Sequence, residues 1–174
     1  MSQIPYATTE KKDELDDLQV ASRLIESLTD QPCLLVRTDT MWMDIWNSLG
    51  VLPQPGADFT EAVLDGEAIR LEDIEFDSTT YRVPFLRRDH EVLKLTGTFG
   101  WGTVTDKAPT DDDPIGTVYS NDGVLTLEKV GLRVEVPEDL QKLCRLVAAN
   151  AKKSVALYDS QRIRTLIRKY MRTA

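Results

Sequence analysis

The chain has 174 residues, of which 41% are apolar, and a formal net charge of −8. This length suits one domain, or one domain with a large insertion, and the apolar fraction excludes a chain that is disordered throughout. The charge is divided unevenly, because residues 137–174 carry nine basic and three acidic side chains while residues 1–136 carry twelve and twenty-six. An acidic body with a basic end can associate head to tail with its own copies or dock on an acidic partner. In the alternative, the basic end folds back on the acidic body.

Several functional classes are disfavoured by what the sequence lacks. No apolar run approaches the roughly 18 residues that span a bilayer, and the first residues lack the basic and apolar regions of a signal peptide, so we expect no membrane association. Cys33 and Cys144 lie far apart in apolar contexts, which predicts free, buried thiols in a reducing compartment. With His90 as the single histidine, a Cys/His zinc site is disfavoured, and we predict neither a metal nor a cofactor.

In chain order, residues 1–12 are predicted to form a flexible arm. A first helix is predicted over about residues 13–28, in a helical segment 13–32 that Pro32 ends. Acidic residues crowd its first turns, where the helix dipole favours negative charge. One face of this helix carries Leu15, Leu18, Ser22 and Ile25.

Residues 33–136 are predicted to form a β-rich insertion, since short apolar runs alternate with turn signals. Residues 41–46 suit either a strand or a short helix, because their periodicity does not decide between the two. Trp42 and Trp46 are predicted to pack in the core, with an exposed subunit interface as the alternative. The other strand candidates are 33–36, 62–64, 68–71, 81–86, 91–98, 124–127 and 132–136.

Glycines alternate with aromatic residues at the end of the strand predicted over 91–98. This pattern predicts a turn that needs positive φ, with two aromatic rings packed on the core. It does not match a dinucleotide-binding fingerprint, because no helix follows immediately. The residues of this structural turn are Gly97, Phe99, Gly100, Trp101 and Gly102.

No catalytic constellation stands out in the sequence. Asp111, Asp112 and Asp113 lie in a loop predicted over 106–116, and consecutive carboxylates lack the spacing of a calcium-binding loop. His90 has neither a nucleophile motif nor a partner at a recognisable spacing. Because no acid–base pair can be singled out among the many carboxylates, we predict that the protein is not an enzyme.

Helical signals return after residue 136. Proline is favoured at the first helical position, so Pro137 predicts a helical segment over 137–158. A basic helix is predicted over 159–174, with an apolar edge and with Arg164, Arg168 and Arg172 along its other side. We therefore predict an α+β fold, in which a small helical bundle of one N-terminal and two C-terminal helices carries the β-rich insertion. The apolar edge consists of Ile163, Leu166, Ile167 and Tyr170.

Four segments together resemble a known family. Residues 96–101 read Thr-Gly-Thr-Phe-Gly-Trp, and residues 136–142 read Val-Pro-Glu-Asp-Leu-Gln-Lys. With the helix around 18–26 and the basic segment 159–172, they are similar to the head–tail connector proteins of tailed bacteriophages, also called adaptor or head-completion proteins. The likeness covers residues 13–30, 91–102 and 136–172. It departs from the family pattern where residues 103–135 separate the first two motifs, so the sheet is expected to carry an extra hairpin.

This resemblance implies a ring of identical subunits, commonly twelve, between the portal protein and the tail. Such a ring extends the DNA channel, lets DNA pass without specific binding, and seats the next neck or tail protein. The protein would be made in the host cytoplasm and reside in the neck of the virion. In the family the C-terminal segment reaches the portal, which would place there Arg162, Ile163, Arg164, Leu166, Ile167, Arg168, Lys169, Tyr170 and Arg172.

Two other functions remain as alternatives. The basic C-terminal helix could bind nucleic acid, although the chain is acidic overall and only Tyr170 interleaves with the basic residues. Alternatively, the chain is a small acidic regulatory protein that acts as a monomer on a cellular target.

Overall fold

A computed structural model describes residues 4–77, 79–85, 88, 90–153 and 160–171. The described residues form two compact units, each with its own hydrophobic core. Unit 1 takes in the residues up to Val36 and from Trp101 onward, and unit 2 is Arg37–Gly100.

Unit 2 is a seven-stranded antiparallel sheet that curls into a half-barrel. Its strands in spatial order are β4-β3-β7-β1-β2-β6-β5, and a 3-10 helix at Leu71–Asp73 lies between β4 and β5 in the chain. The strands are β1 (Arg37–Trp46), β2 (Leu49–Val51), β3 (Gly56–Leu64), β4 (Glu67–Ile69), β5 (Glu75–Asp77), β6 (Thr80–Arg82) and β7 (His90–Phe99).

The long central strands β1 and β7 pair from Arg37–Phe99 to Trp46–His90. Side chains alternate between the faces of a strand, so β7 buries every second residue along its length and β1 does so from Met43 onward. The inward residues Met43, Ile45, Leu93 and Leu95 are at most 3% exposed. Together with Tyr81, Val83 and Phe99, they form the centre of the unit 2 core.

Unit 1 combines three α-helices with a four-stranded antiparallel sheet of order β10-β9-β11-β8. A 3-10 helix at Lys12–Glu14 precedes the first α-helix. The α-helices are α1 (Leu15–Thr29), α2 (Glu138–Lys152) and α3 (Gln161–Tyr170). The strands are β8 (Thr103–Val104), β9 (Tyr119–Asn121), β10 (Val124–Thr126) and β11 (Leu132–Glu135).

Local signals explain where these helices begin and which face each one buries. Helix α1 carries Asp16 and Asp17 in its first turn and ends at Asp30, which has the left-handed φ of 55°. Pro137 stands at the N-cap position of α2, and the Ser160 side chain caps α3 by accepting a hydrogen bond from the Ile163 N–H at 3.4 Å. The helical spacing then brings the apolar faces together in one core, which includes Leu18, Ile25, Leu140, Leu143, Val147, Ile163 and Tyr170.

The prediction of a small helical bundle with a β-rich insertion is wrong. The protein is mostly β, with two sheets and three helices in its described part. The helices do not close a core by themselves, because Val118 and Val134 from the region of the small sheet are buried in the same cluster. Residues 37–100, in turn, bury their own set of apolar side chains around a half-barrel. Residues 103–135, where the sheet was expected to carry an extra hairpin, instead form this separate small sheet, in which β9 and β10 flank the turn at residues 122–123.

Candidate functional site: helix α3 and the glycine–aromatic segment

Helix α3 has one buried stripe and a broad basic surface. Ile163, Ile167 and Tyr170 are 1%, 7% and 0% exposed and pack in the core of unit 1, where α3 contacts α1 and α2. Leu166 is half-buried beside them. The apolar edge predicted to enter a groove on the portal is therefore occupied within the chain. The surface that α3 offers to a partner consists of Arg162, Arg164, Thr165, Arg168 and Lys169.

Asp139, in the first turn of α2, fixes the last turn of α3. Its Oδ1 accepts a hydrogen bond of 2.5 Å from the Tyr170 hydroxyl, and its Oδ2 pairs with the Lys169 ammonium group. The Leu140 N–H also donates to Oδ1, at 2.9 Å. One carboxylate thus ties together two helices that are separated by residues 153–160 in the sequence.

We call the contacts of Asp139 with Lys169 and Tyr170 the clamp. Its environment changes the affinity of these groups for protons. Burial raises the pKa of Asp139, but the hydrogen bonds from Lys169 and Tyr170 and the Lys169 charge lower it by more, so the net pKa lies below the usual value. Burial, then the hydrogen bond to Asp139 and its charge, raise the pKa of the Tyr170 hydroxyl. Near neutral pH the ionised carboxylate and the protonated hydroxyl are therefore the forms that the fold stabilises.

Three arginines of α3 remain available to a partner molecule. Arg162, Arg164 and Arg168 are exposed, and within the described ranges none of them has a carboxylate at ion-pair distance. Lys169 is also mostly exposed, although it is engaged by Asp139. Arg172, which was predicted to join this set, lies outside the described residues.

The glycine–aromatic segment runs from β7 of unit 2 into unit 1. Gly97 lies within β7, where a Cβ would approach the Phe59 ring to 2.6 Å and the Ala57 carbonyl oxygen to 3.0 Å. Position 97 therefore requires glycine because a side chain would not fit there. Gly100 and Gly102 have the positive φ values of 120° and 91° that the pattern predicts. Phe99 is fully buried in the core of unit 2.

Trp101 is hydrogen-bonded to the backbone of Leu34 and Val36 and packs against Tyr170 of helix α3. Its N–H donates to the Leu34 carbonyl at 2.7 Å, and its own carbonyl accepts from the Val36 N–H at 3.0 Å. Its half-buried ring meets the Tyr170 ring edge-on, with the centroids 5.2 Å apart. The segment thus serves packing, and through Tyr170 it contacts the same helix turn that Asp139 holds.

The prediction that Trp42 and Trp46 pack in the core is wrong. Both lie on the outer face of the unit 2 sheet, where they are 66% and 60% exposed. Asp44 lies between them on the same face, and Leu49 pairs with Trp46 across β1 and β2 and is 60% exposed. We call these four residues the tryptophan face. The strict alternation with buried Met43 and Ile45 is the signal that could have located it, because Asp44 marks the solvent side.

Two of the three consecutive carboxylates that could suggest metal binding, Asp111 and Asp113, have partners within unit 1. Asp113 accepts a 2.7 Å hydrogen bond from the Tyr119 hydroxyl and lies 3.3 Å from an Arg133 nitrogen, while Asp111 pairs with Lys129 at 3.5 Å. The bond from Tyr119, then those from Thr110, lower the pKa of Asp113 to about 2. Burial and the bond to Asp113 raise the pKa of Tyr119 to about 12. No group of three or more potential metal ligands occurs among the residues that the structure describes.

In the part of the chain that the structure covers, each helix is too short or too polar to cross a membrane. Comparison of the sequence with models of known protein families and with curated proteins finds no match.

Proposed function

We propose that the chain is a structural virion protein that forms a ring between the portal and the tail, and that it is not an enzyme. The observation that carries this proposal is the exposed basic surface of α3 on an otherwise acidic chain. Arg162, Arg164 and Arg168 have no ion-pair partner in the described residues, although residues 1–136 carry a net charge of −14. Charges that have no partner among the described residues suit a contact with another molecule. The resemblance to head–tail connector proteins supplies the nature of that molecule.

The charge distribution suits a ring through which DNA moves. Contacts between phosphates and basic side chains bind DNA strongly and in a salt-dependent way. A channel wall built from an acidic body avoids such contacts, so DNA passes through the lumen without specific binding. The net charge of −8 for the whole chain agrees with this role.

In the proposed assembly, the exposed side of α3 contacts the portal protein. Because Ile163, Ile167 and Tyr170 are held in the core of unit 1, the contact relies on the exposed basic residues and on half-buried Leu166. Charged pairs at the rim of an interface set orientation and encounter rate more than affinity. The other side of the ring then seats the next neck or tail protein.

The test is electron microscopy of particles from an infection in which this chain is not made. If the chain joins heads to tails, filled or empty heads and unattached tails accumulate separately. Tailed particles of normal appearance would contradict the proposal. The matched experiment supplies Arg162→Glu protein in trans, and we expect it to restore joining less well than wild-type protein does, because Arg162 is exposed and has no partner among the described residues.

A DNA-binding assay separates the proposal from the nucleic-acid alternative. A protein that uses α3 to bind DNA shifts a duplex probe, with an affinity that falls steeply as salt rises. A connector leaves the probe unshifted at the same protein concentration. A shift of the DNA probe that is abolished when Arg162, Arg164 and Arg168 are replaced by glutamate would favour the nucleic-acid alternative.

A further inference from the structure

The tryptophan face is a concentration of exposed apolar side chains on unit 2. Trp42, Trp46 and Leu49 are each at least 60% exposed, and they lie on one face of two adjacent strands. Large aromatic side chains are enriched at the centres of protein interfaces and are the residues whose removal weakens binding most. A solvent-exposed cluster of this kind indicates a binding surface.

The chemistry of this face favours a basic partner. Asp44 lies between the two tryptophans along β1 and is 68% exposed, and its Oδ1 lies 2.9 Å from the His90 Nε2, while the His90 ring lies tilted against Trp46 with ring centroids 4.3 Å apart. Lys94 faces Trp42 across β7 and β1, and it lies 3.5 Å from Glu61. Residues 37–100 contain twelve acidic and six basic side chains, which is a net charge of −6 without His90. Indole rings beside a carboxylate, on a unit with a net negative charge, favour binding of a guanidinium group, which stacks on the ring and pairs with the carboxylate.

A cleft next to Trp42 has the same character. Its volume is about 520 Å³, and Trp42 and Phe85 contribute aromatic surface to it. Asp65, Glu67 and Glu91 also line it, and Arg88 is the one basic side chain among the described residues of the lining. The cleft extends the acidic and aromatic surface beyond the tryptophan face itself.

Helix α3 has two basic edges that lie on opposite sides of its exposed surface. At about 100° per residue, Arg164 and Arg168 fall on one edge, with Gln161 and Thr165 next to them. Arg162 and Lys169 fall on the other edge. Residues four apart on a helix are about 6 Å from each other, and alternate residues of a strand are about 7 Å apart. The pair Arg164–Arg168 therefore matches the spacing of the pair Trp42–Asp44.

We infer that the tryptophan face of one subunit receives the Arg164–Arg168 edge of α3 from a second copy of this chain. One guanidinium stacks on Trp42 or Trp46, and the other pairs with Oδ2 of Asp44, because Oδ1 lies 2.9 Å from the His90 Nε2. The two surfaces differ, so the contact is heterologous and each copy can bind two neighbours, as closure of a ring requires. The inference rests on the proposed function, because it names the contact between subunits of the ring. It narrows the proposed portal contact from the whole exposed side of α3 to the edge that carries Arg162 and Lys169.

Two double variants and their mixture test this contact. Trp42→Ser/Trp46→Ser removes the face but keeps α3, and Arg164→Glu/Arg168→Glu removes the edge but keeps the face. We expect each variant to self-associate at least about 30-fold more weakly than wild type, the loss typical of interface hot spots. The matched control is Val124→Ser in β10 of unit 1, which is 67% exposed and should associate as wild type does. Circular dichroism verifies that each variant is folded.

The mixture gives the decisive result. Each variant retains the surface that the other lacks, so an equimolar mixture should form a one-to-one dimer and no larger species. Sedimentation velocity measures this directly. A wild-type chain that stays monomeric up to about 100 μM, where even a weak contact is populated, overturns the inference. So does a mixture that remains monomeric, or a tryptophan variant that assembles like wild type.

The infection experiment distinguishes failure of this contact from failure of the proposed function. If heads and tails require the chain to join but both variants assemble normally, the inference fails and the connector function stands. If particles join without the chain while the variant mixture forms the dimer, the function fails and the self-association contact stands.

Discussion

At the scale of single residues, Asp139 connects the helix dipole of α2 to the position of α3. A carboxylate in the first turn is favoured by the dipole and by the N–H groups that it accepts from. In this chain the same group also holds Lys169 and Tyr170. Because Asp139 stabilises both the start of α2 and the contact with α3, its replacement affects more than the local helix.

We expect Asp139→Asn to lower the free energy of unfolding by about 1–2 kcal/mol. This is the lower part of the range for hydrogen bonds to charged groups, because Lys169 is 57% exposed and water screens its charge. Urea unfolding measures the loss, and hydrogen exchange should show faster opening of α3. Glu138→Gln makes the same charge change in the same turn without these contacts, and it should cost less than about 0.5 kcal/mol. Equal losses in the two variants would mean that the clamp does not stabilise α3.

Gly97 is required because a side chain would not fit there, and Gly66 is required because its backbone has a positive φ. A Cβ at Gly97 would meet the Phe59 ring at 2.6 Å, so Gly97→Ala should overpack unit 2 and cost about 1–3 kcal/mol. Gly66 has a φ of 89° and open space around it, so Gly66→Ala should cost about 1 kcal/mol from backbone strain alone. Thermal unfolding of both variants compares the two effects. Gly97→Ala proving no worse than Gly66→Ala would contradict the overpacking argument.

At the scale of elements, α3 belongs to the core as much as to the surface. Its buried stripe closes unit 1 against α1 and α2, while its basic edges face outward. An element of this kind cannot be removed in order to test its binding role, because the fold changes with it. Substitutions confined to the exposed edges are the informative ones.

We therefore expect deletion of residues 160–174 to destabilise unit 1 by more than about 4 kcal/mol. The deletion removes Ile163, Ile167 and Tyr170, and large buried side chains typically contribute 2–5 kcal/mol each. Arg164→Glu/Arg168→Glu should leave the midpoint of urea unfolding nearly unchanged, since both side chains are exposed. A deletion variant as stable as wild type would show that α3 does not contribute to the core.

Trp101 provides a second measure of how α3 is anchored. Trp101→Ala should cost about 2–3 kcal/mol, less than the roughly 3–5 kcal/mol of a fully buried aromatic, because the ring is only half-buried. The loss comes from the edge-on contact with Tyr170 and from the cavity left beside it. Trp42→Ala is the matched control, and its 66% exposure predicts a loss near zero. Guanidinium unfolding of the two variants checks the difference.

At the scale of the whole molecule, ionised groups make stability depend on pH at both extremes. The folded state lowers the pKa of Asp113 to about 2 and that of Asp139 below its usual value, so the unfolded chain binds protons first as the pH falls. The stability that these two carboxylates contribute is therefore present above about pH 4 and is lost progressively toward pH 2. Tyr119 has the opposite sign: its pKa of about 12 means that stability is lost as the pH rises from about 10 to 12.

We expect the double variant Asp113→Asn/Asp139→Asn to show a flatter decline of unfolding free energy between pH 4 and pH 2 than wild type. Urea unfolding at a series of pH values measures this slope, which equals the difference in bound protons between the two states. Asp111→Asn/Glu138→Gln makes the same change of net charge at two exposed carboxylates, so it separates the effect of the Asp113 and Asp139 contacts from that of net charge. A double variant with an unchanged slope would assign the acid sensitivity to other carboxylates.

The positions of the helices could be predicted from sequence because their signals are local. The spacing of Leu18, Ser22 and Ile25, and the proline before Glu138, define helix faces and starts without reference to the rest of the chain. Strand β1 was ambiguous because Met and Trp suit both a helix and a strand. The short strands β2, β5 and β8 have too few residues to show a period, so their pairing partners alone define them.

The sequence by itself determined the helices, the charge asymmetry and the absence of a recognisable catalytic motif, because these depend on residue identity and local spacing. Only the tertiary structure decided which apolar residues are buried. It placed Tyr170 in the core and Trp42 and Trp46 outside, and it made the protein mostly β. The physical reason is that burial is settled by pairing and packing between distant segments, such as β1 with β7 and α3 with Asp139. Hydrophobicity alone does not say which face of a strand or helix meets a neighbour.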